Sequence, residues 1–191
     1  MKKVKNGLFI IVALLLCLCL VSCAKKGQIG DIMVMDDTKT VVVFARLQDL
    51  VKDDTEKMIY AGVPVACTFY LKFYQVRPYW FDRRLAQLVV RNAIKYDNVK
   101  KKIFVTTWLN GKKTGMTEFE DIGTAEAALF DLNGVSLANA RLMSRNEDYY
   151  VAIKARIEKD EHSHFVRYIL LFLPFTDKET DWYRKEFIWK D

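Results

Sequence analysis

Few residues in this chain have the types that do chemistry, and their spacing limits what that chemistry could be. His162 and His164 follow Asp160 and Glu161, and an i, i+2 spacing on a strand would aim both imidazoles the same way. Two histidines do not close a zinc site, and residues 159–163 read as a solvent-exposed hairpin turn, so no metal is expected. The chain has no other histidine, so a His-dependent nucleophilic triad would need its base from this turn, and no Gly-x-Ser-x-Gly elbow accompanies it. Cys67 is a nucleophile by type. It falls on the apolar side of a long strand, where burial raises the thiol pKa and blocks access, and it reads as a small core residue. The carboxylate pairs Asp36-Asp37, Asp53-Asp54 and Glu118/Glu120 fall in a turn, a helix start and a polar edge, where solvation is expected. No catalytic residue and no cofactor is assigned.

Two surfaces are better candidates for binding. Along the strands, Tyr70, Lys72 and Tyr74, then Arg91 and Lys95, then Lys154 and Arg156 point opposite to the apolar rows. If these strands share one sheet, they make a basic face interleaved with tyrosines, suited to an anionic lipid headgroup or glycan; an ordinary solvated face is the plainer reading. The second surface is the turn Pro78-Tyr79-Trp80-Phe81-Asp82-Arg83-Arg84, where three adjacent aromatics cannot all point inward. Packing of this loop over the end of the core is the expected arrangement, with at least one of Tyr79, Trp80 and Phe81 left to meet a partner or a neighbouring loop.

The elements that must position these residues are mostly strands. Alternation over residues 31–35 and 40–47 around Asp36-Asp37-Thr38-Lys39 predicts a hairpin. Residues 63–76 form the longest alternating run, with Val63, Val65, Cys67, Phe69, Leu71 and Phe73 on one side and Thr68, Tyr70, Lys72 and Tyr74 on the other. Residues 84–96 place Ala86, Leu88, Val90, Ile94 and Tyr96 opposite Gln87, Arg91 and Lys95. Residues 101–109 follow and end at Asn110-Gly111. Residues 149–157 alternate again, residues 165–175 are apolar on both sides as in a covered strand, and residues 182–189 read as a closing strand. Two helices are expected. Residues 51–61 carry early acids and stop at Gly62 before Pro64, while residues 124–132 have Thr124 as N-cap and Asn133-Gly134 as stop. About eight antiparallel strands with two short helices predict a β-sandwich, with a partly closed barrel as the alternative.

At the N-terminus, Lys2, Lys3 and Lys5 precede fourteen consecutive apolar residues, Leu8 to Val21, and then Ser22-Cys23. This run suits a secretory signal and is short of the roughly 20 residues that span a bilayer. Leu20-Val21-Ser22-Cys23 resembles the bacterial lipobox, so residues 1–22 read as a lipoprotein signal, Cys23 as the acylated residue, residues 23–29 as a short tether and residues 30–191 as one β-rich domain. Two or three acyl chains, at about 0.8 kcal/mol per buried methylene, hold such a protein durably. Cys17 and Cys19 leave with the signal and Cys23 is alkylated, so Cys67 is the one remaining thiol and an intramolecular disulfide is excluded. Loss of the three lysines leaves the basic residues exceeding the acidic ones by three, too mild a balance to argue for nucleic acid. The expected location is the cell envelope outside the cytoplasm. In a diderm host, Ala24 and Lys25 after the cysteine, with no Asp, direct it to the periplasmic side of the outer membrane.

The segments Gly62-Val63-Pro64-Val65, Tyr79-Trp80-Phe81-Asp82, Ile94-Lys95-Tyr96-Asp97, Tyr149-Tyr150-Val151-Ala152-Ile153-Lys154-Ala155-Arg156 and Asp181-Trp182-Tyr183 carry a resemblance. Over roughly residues 40–190 the chain resembles a bacterial family known as domain of unknown function 4390. The resemblance implies a single exported or membrane-associated domain and supplies no reaction. The expected function is therefore a lipid-anchored, non-enzymatic envelope protein that binds an envelope component, foremost a protein, through a sheet face or edge and the aromatic loop. The rivals are a carrier holding an apolar or amphipathic ligand between its sheets, marked by a cavity beside Phe69, Phe73 and Leu171, and a carboxylate-dependent hydrolase.

Overall fold

A computed structural model describes residues 27–37, 40–48, 52–159 and 177–189. The expected signal and Cys23, the histidines His162 and His164, and the expected strand at 165–175 lie outside the described residues. The elements are β1 (Gln28–Asp37), β2 (Thr40–Gln48), α1 (Lys52–Tyr60), β3 (Val65–Gln75), β4 (Arg83–Asp97), β5 (Lys102–Leu109), β6 (Lys112–Phe119), α2 (Ile122–Phe130), β7 (Asp131–Asn139), a 3₁₀ turn (Ala140–Leu142), β8 (Asp148–Lys159), β9 (Lys178–Glu179) and β10 (Tyr183–Ile188).

All pairings are antiparallel, in two sheets. The small sheet has the order β1-β2-β7, and the large one runs β10-β8-β3-β4-β5-β6, with β9 also paired to β8. Their inner faces share one hydrophobic core, giving a β-sandwich and not a closed barrel. The long alternating strand is central: Val63, Val65, Cys67, Phe69, Leu71 and Phe73 are each at most 1% exposed. Facing them are Val41, Val43 and Ala45 of β2, and Tyr149, Val151 and Ile153 of neighbouring β8 extend the same buried layer. Phe73 stacks on Phe187 with centroids 6.0 Å apart and meets Tyr149 at 5.6 Å. The Tyr149 hydroxyl, at the end of this layer, accepts from the Ser144 N–H at 2.7 Å, so a fully buried phenol fixes the turn before β8.

Helix α1 ends as its sequence predicts. Gly62 adopts φ +78°, and the Gly62 and Val63 amides donate back to the Ile59 and Met58 carbonyls at 2.9 Å, a Schellman closure. The second helix differs from expectation. It starts two residues earlier, because the Asp121 carboxylate accepts from the Thr124 N–H at 2.9 Å, making Asp121 the cap and Thr124 its partner. It also stops earlier, at Phe130, and β7 follows without a loop. Asn133-Gly134 is a kink within β7: Gly134 has φ +66°, and the Phe44 ring lies 3.1 Å from where a Cβ would stand. Strands β6 and β7 were not expected as strands.

One residue breaks the apolar row of β4. Asn92 is 4% exposed on the core side, between Val90 and Ile94. Its amide nitrogen lies 3.2–3.4 Å from the carbonyls of Ala128, Leu129 and Asp131, and its oxygen accepts from the Thr107 hydroxyl at 3.0 Å. A helix leaves its last carbonyls without internal partners, and Asn92 supplies donors to them inside the core.

Candidate functional site

The loop between β3 and β4 is the most exposed apolar feature among the described residues. Tyr79 is 98% exposed, Trp80 75% and Phe81 88%, so the expected packing of this loop over the core does not occur. The loop is nevertheless held at its base. Asp82 accepts from the Arg77 N–H at 3.3 Å and from the Tyr150 hydroxyl at 2.9 Å, and the Trp80 N–H reaches the Arg77 carbonyl at 3.4 Å. Pairing of Gln75 with Arg83 closes the hairpin beneath these contacts.

Tyr150 connects this loop to the outer face of the large sheet. Its ring stacks on Tyr74 at 4.9 Å with 14° between the planes, and the Arg184 guanidinium lies 3.6 Å from its centroid. Burial first, then the hydrogen bond and negative charge of Asp82, push the Tyr150 phenol up to about 12. It is therefore held neutral as the donor to Asp82.

The structure does bring Tyr70, Lys72, Tyr74, Arg91, Lys154 and Arg156 onto one face. Register aligns Thr68 with Arg91 and Arg156, Tyr70 with Lys154, and Tyr74 with Tyr150 across β8, β3 and β4. Lys95 shares the face but pairs with Phe104 at the far end, away from the loop. The cations there have intramolecular partners. Lys154 contacts Glu179 at 3.0 Å, Arg156 contacts Asp177 at 2.7 Å and Glu158 at 3.4 Å, Arg91 is paired with Glu158, and the Lys72 ammonium sits 4.2 Å from the Trp182 ring centroid. An anion would have to compete with these carboxylates, which weakens the case for a dedicated anionic site.

Two clefts open on the described surface. One, of about 450 Å³, lies over β3, β4 and β5 and is lined by Thr68, Tyr70, Arg91, Trp108 and Glu158 among others. The other, of about 370 Å³, lies at the strand ends beside Asp148, Arg184 and Glu186. Neither is lined by Phe69 or Phe73, which the carrier reading expects beside its cavity together with Leu171, a residue outside the described ones. Cys67 is fully buried, and burial drives its thiol far above the usual range, which disarms it as a nucleophile. Among the described residues, no three His, Cys, Asp or Glu side chains gather as a metal site would need, and no helix is long and apolar enough to cross a membrane.

Sequence reasoning put Thr68 and Tyr150 on the outward side of their strands and Asp82 in the loop without assigning them to a site, and it missed Trp182, Glu158 and Trp108. Parity could have found Glu158, which shares a side of β8 with Tyr150, Lys154 and Arg156. The family model described as Domain of unknown function (DUF4390) matches residues 24–186. The chain belongs to this family. The match reaches further toward the N-terminus than the resemblance over residues 40–190, and it includes the exposed DUF4390 loop and the outer sheet face. No curated protein and no solved structure matches the chain.

Proposed function

We propose that this DUF4390 protein is a membrane-tethered, non-enzymatic binding module of the bacterial cell envelope, acylated at Cys23, whose Tyr79-Trp80-Phe81 loop docks a protein partner. The observation that carries the reading is the near-complete exposure of three adjacent aromatic side chains on a braced turn. Burying a large apolar side chain contributes about 1.5–3 kcal/mol, so a fold that leaves three in water forgoes a large stabilisation. A contiguous exposed patch of this kind marks an interaction surface.

The magnitudes suit a protein interface. Aromatic side chains bury about 150–250 Å² each, so three rings could supply much of the roughly 800 Å² per partner of a standard complex. Arg83 and Arg84, both exposed beside the rings, supply the polar rim, and Asp82 with Tyr150 reduces the ordering needed on binding. The edge of the large sheet is a weaker docking element, because β6 begins Lys112-Lys113, and lysines on an edge oppose strand addition. The Lys2 to Cys23 pattern supports export and acylation, and with them a loop working outside the cytoplasm.

The test is crosslinking in intact cells of the native host, comparing wild type, Cys23→Ala and a Tyr79→Ser/Trp80→Ser/Phe81→Ser variant. One stoichiometric envelope protein is expected with wild type, depleted with Cys23→Ala and absent with the triple variant. Retention of that protein by the triple variant would refute the loop as docking element. Recovery of a lipid and no protein would favour the carrier, and loop-dependent binding to protein-free vesicles would replace the protein partner with the membrane itself.

A further inference from the structure

The cleft over β3, β4 and β5 is separate from the aromatic loop, and its chemistry is distinctive. We infer that it is a binding site for a neutral, hydroxyl-rich ring, a sugar unit of a glycan. At about 450 Å³ it falls within the range of roughly 300–1,000 Å³ typical of small-ligand sites. Thr68, Arg91 and Trp108 lie in one row across three adjacent strands, with Tyr70 in the next row, so rigid sheet positions every group.

Three features select the ligand. Tyr70 and Trp108 line the cleft with aromatic surface, suited to the C–H faces of a pyranose. Arg91 is paired with Glu158, each side chain about a quarter exposed or less, and Glu158 is shared with Arg156, which Asp177 also holds. A cation or an anion would meet one attractive and one repulsive group there. A sugar hydroxyl can accept from the guanidinium and donate to the carboxylate, so the neutral polyol is the matched chemistry. The third feature is Thr68, 5% exposed, whose Oγ1 is screened from water and has no hydrogen-bond partner among the described residues. Such a buried hydroxyl is uncommon in a folded protein, and rotation about the Thr68 χ1 bond would turn it into the cleft, where a ligand hydroxyl would satisfy it.

The experiment titrates the full chain, held in a polyoxyethylene detergent that carries no sugar, with neutral trisaccharides of glucose, mannose and N-acetylglucosamine. Inorganic phosphate and ethanolamine are the charged controls. The readout is the Trp108 indole resonance, assigned with Trp108→Phe. At least one trisaccharide should shift it saturably at millimolar concentration while phosphate and ethanolamine do not. Tyr70→Ala should weaken binding about tenfold, and Thr68→Val about fivefold, the effect of one neutral hydrogen bond. Thr68→Val should leave the melting temperature unchanged or raised, which separates a ligand role from a structural one. Silence of Trp108 with all three sugars, an equal response to phosphate or ethanolamine, or full affinity in Thr68→Val would overturn the inference. None of these results bears on the aromatic loop, so the two proposals fail separately.

Discussion

Replacing Tyr150 by Phe removes one oxygen and keeps the ring between Tyr74 and Arg184. What is lost is the 2.9 Å hydrogen bond to the Asp82 carboxylate. A hydrogen bond to a charged group contributes about 1.5–3 kcal/mol. With a urea dependence of about 2 kcal/mol/M for a domain of this size, the unfolding midpoint should fall by about 1 M. Alkaline titration probes the surroundings of the same phenol. Burial, and then Asp82, raise the phenol from 10.0 to about 12 in the folded protein. The folded value lies above the unfolded one, so the contribution is complete below pH 10 and is lost as pH rises from 10 through 12.

Two assays follow for Tyr150. In the difference between wild-type and Tyr150→Phe absorbance at 295 nm, the phenolate should emerge well above pH 10. In urea, the stability gap between the two proteins should be widest near neutral pH and narrow above pH 10. Trp80 fluorescence anisotropy should also fall in the variant, because Asp82 keeps only the weaker Arg77 N–H contact and the loop loosens. A Tyr150→Phe protein as stable as wild type, together with a phenol that ionises near 10, would refute the claim that this bond braces the loop.

Other outcomes can be stated more briefly. Asn92→Ala should destabilise by about 2–4 kcal/mol in urea unfolding, since it strips α2's final carbonyls of their donor and opens a void in the core; a change under about 0.5 kcal/mol would show that water replaces the amide. Trp80→Ser should shift stability by no more than about 0.5 kcal/mol, because the ring is mostly in water, so any loss of partner capture would be a binding effect. Cys67 should react with a thiol-specific disulfide reagent in denaturant and not in the native state, and fast native reaction would contradict its burial. Labelled palmitate should enter wild-type protein in its host and not Cys23→Ala, and labelling of that variant would displace the acylation site.

The parts of this fold that could be read from the residues are those in which a strand's own side chains state which way they face. The β3 row from Val63 to Phe73 and the β8 row from Tyr149 to Ile157 alternate cleanly, and both are buried as alternation requires. Strand β6 could not be read so, because Lys112-Lys113-Thr114-Gly115-Met116-Thr117-Glu118 is exposed throughout and has no apolar row. It is a strand because Asn110 and Gly111 take φ +47° and +80°, a hairpin turn that folds it back onto β5. Strand β7 was hidden for a different reason. It follows α2 without a loop, and its Gly134 kink imitates a helix stop.

The site shows the same division more sharply. Parity assigns Lys72, Arg91, Lys154 and Arg156 to one face, but their charge depends on neighbours that parity does not name. Asp177, Glu179 and Trp182 reach that face only because β9 and β10 run along the free edge of β8. Counting cations on one strand face therefore suggests an anion site, whereas pairing across strands leaves a compensated surface. The aromatic loop behaves in the opposite way. Its rings would be ordinary core material if any element covered them, and among the described residues none does, so exposure alone turns three hydrophobic residues into a surface that a partner can use.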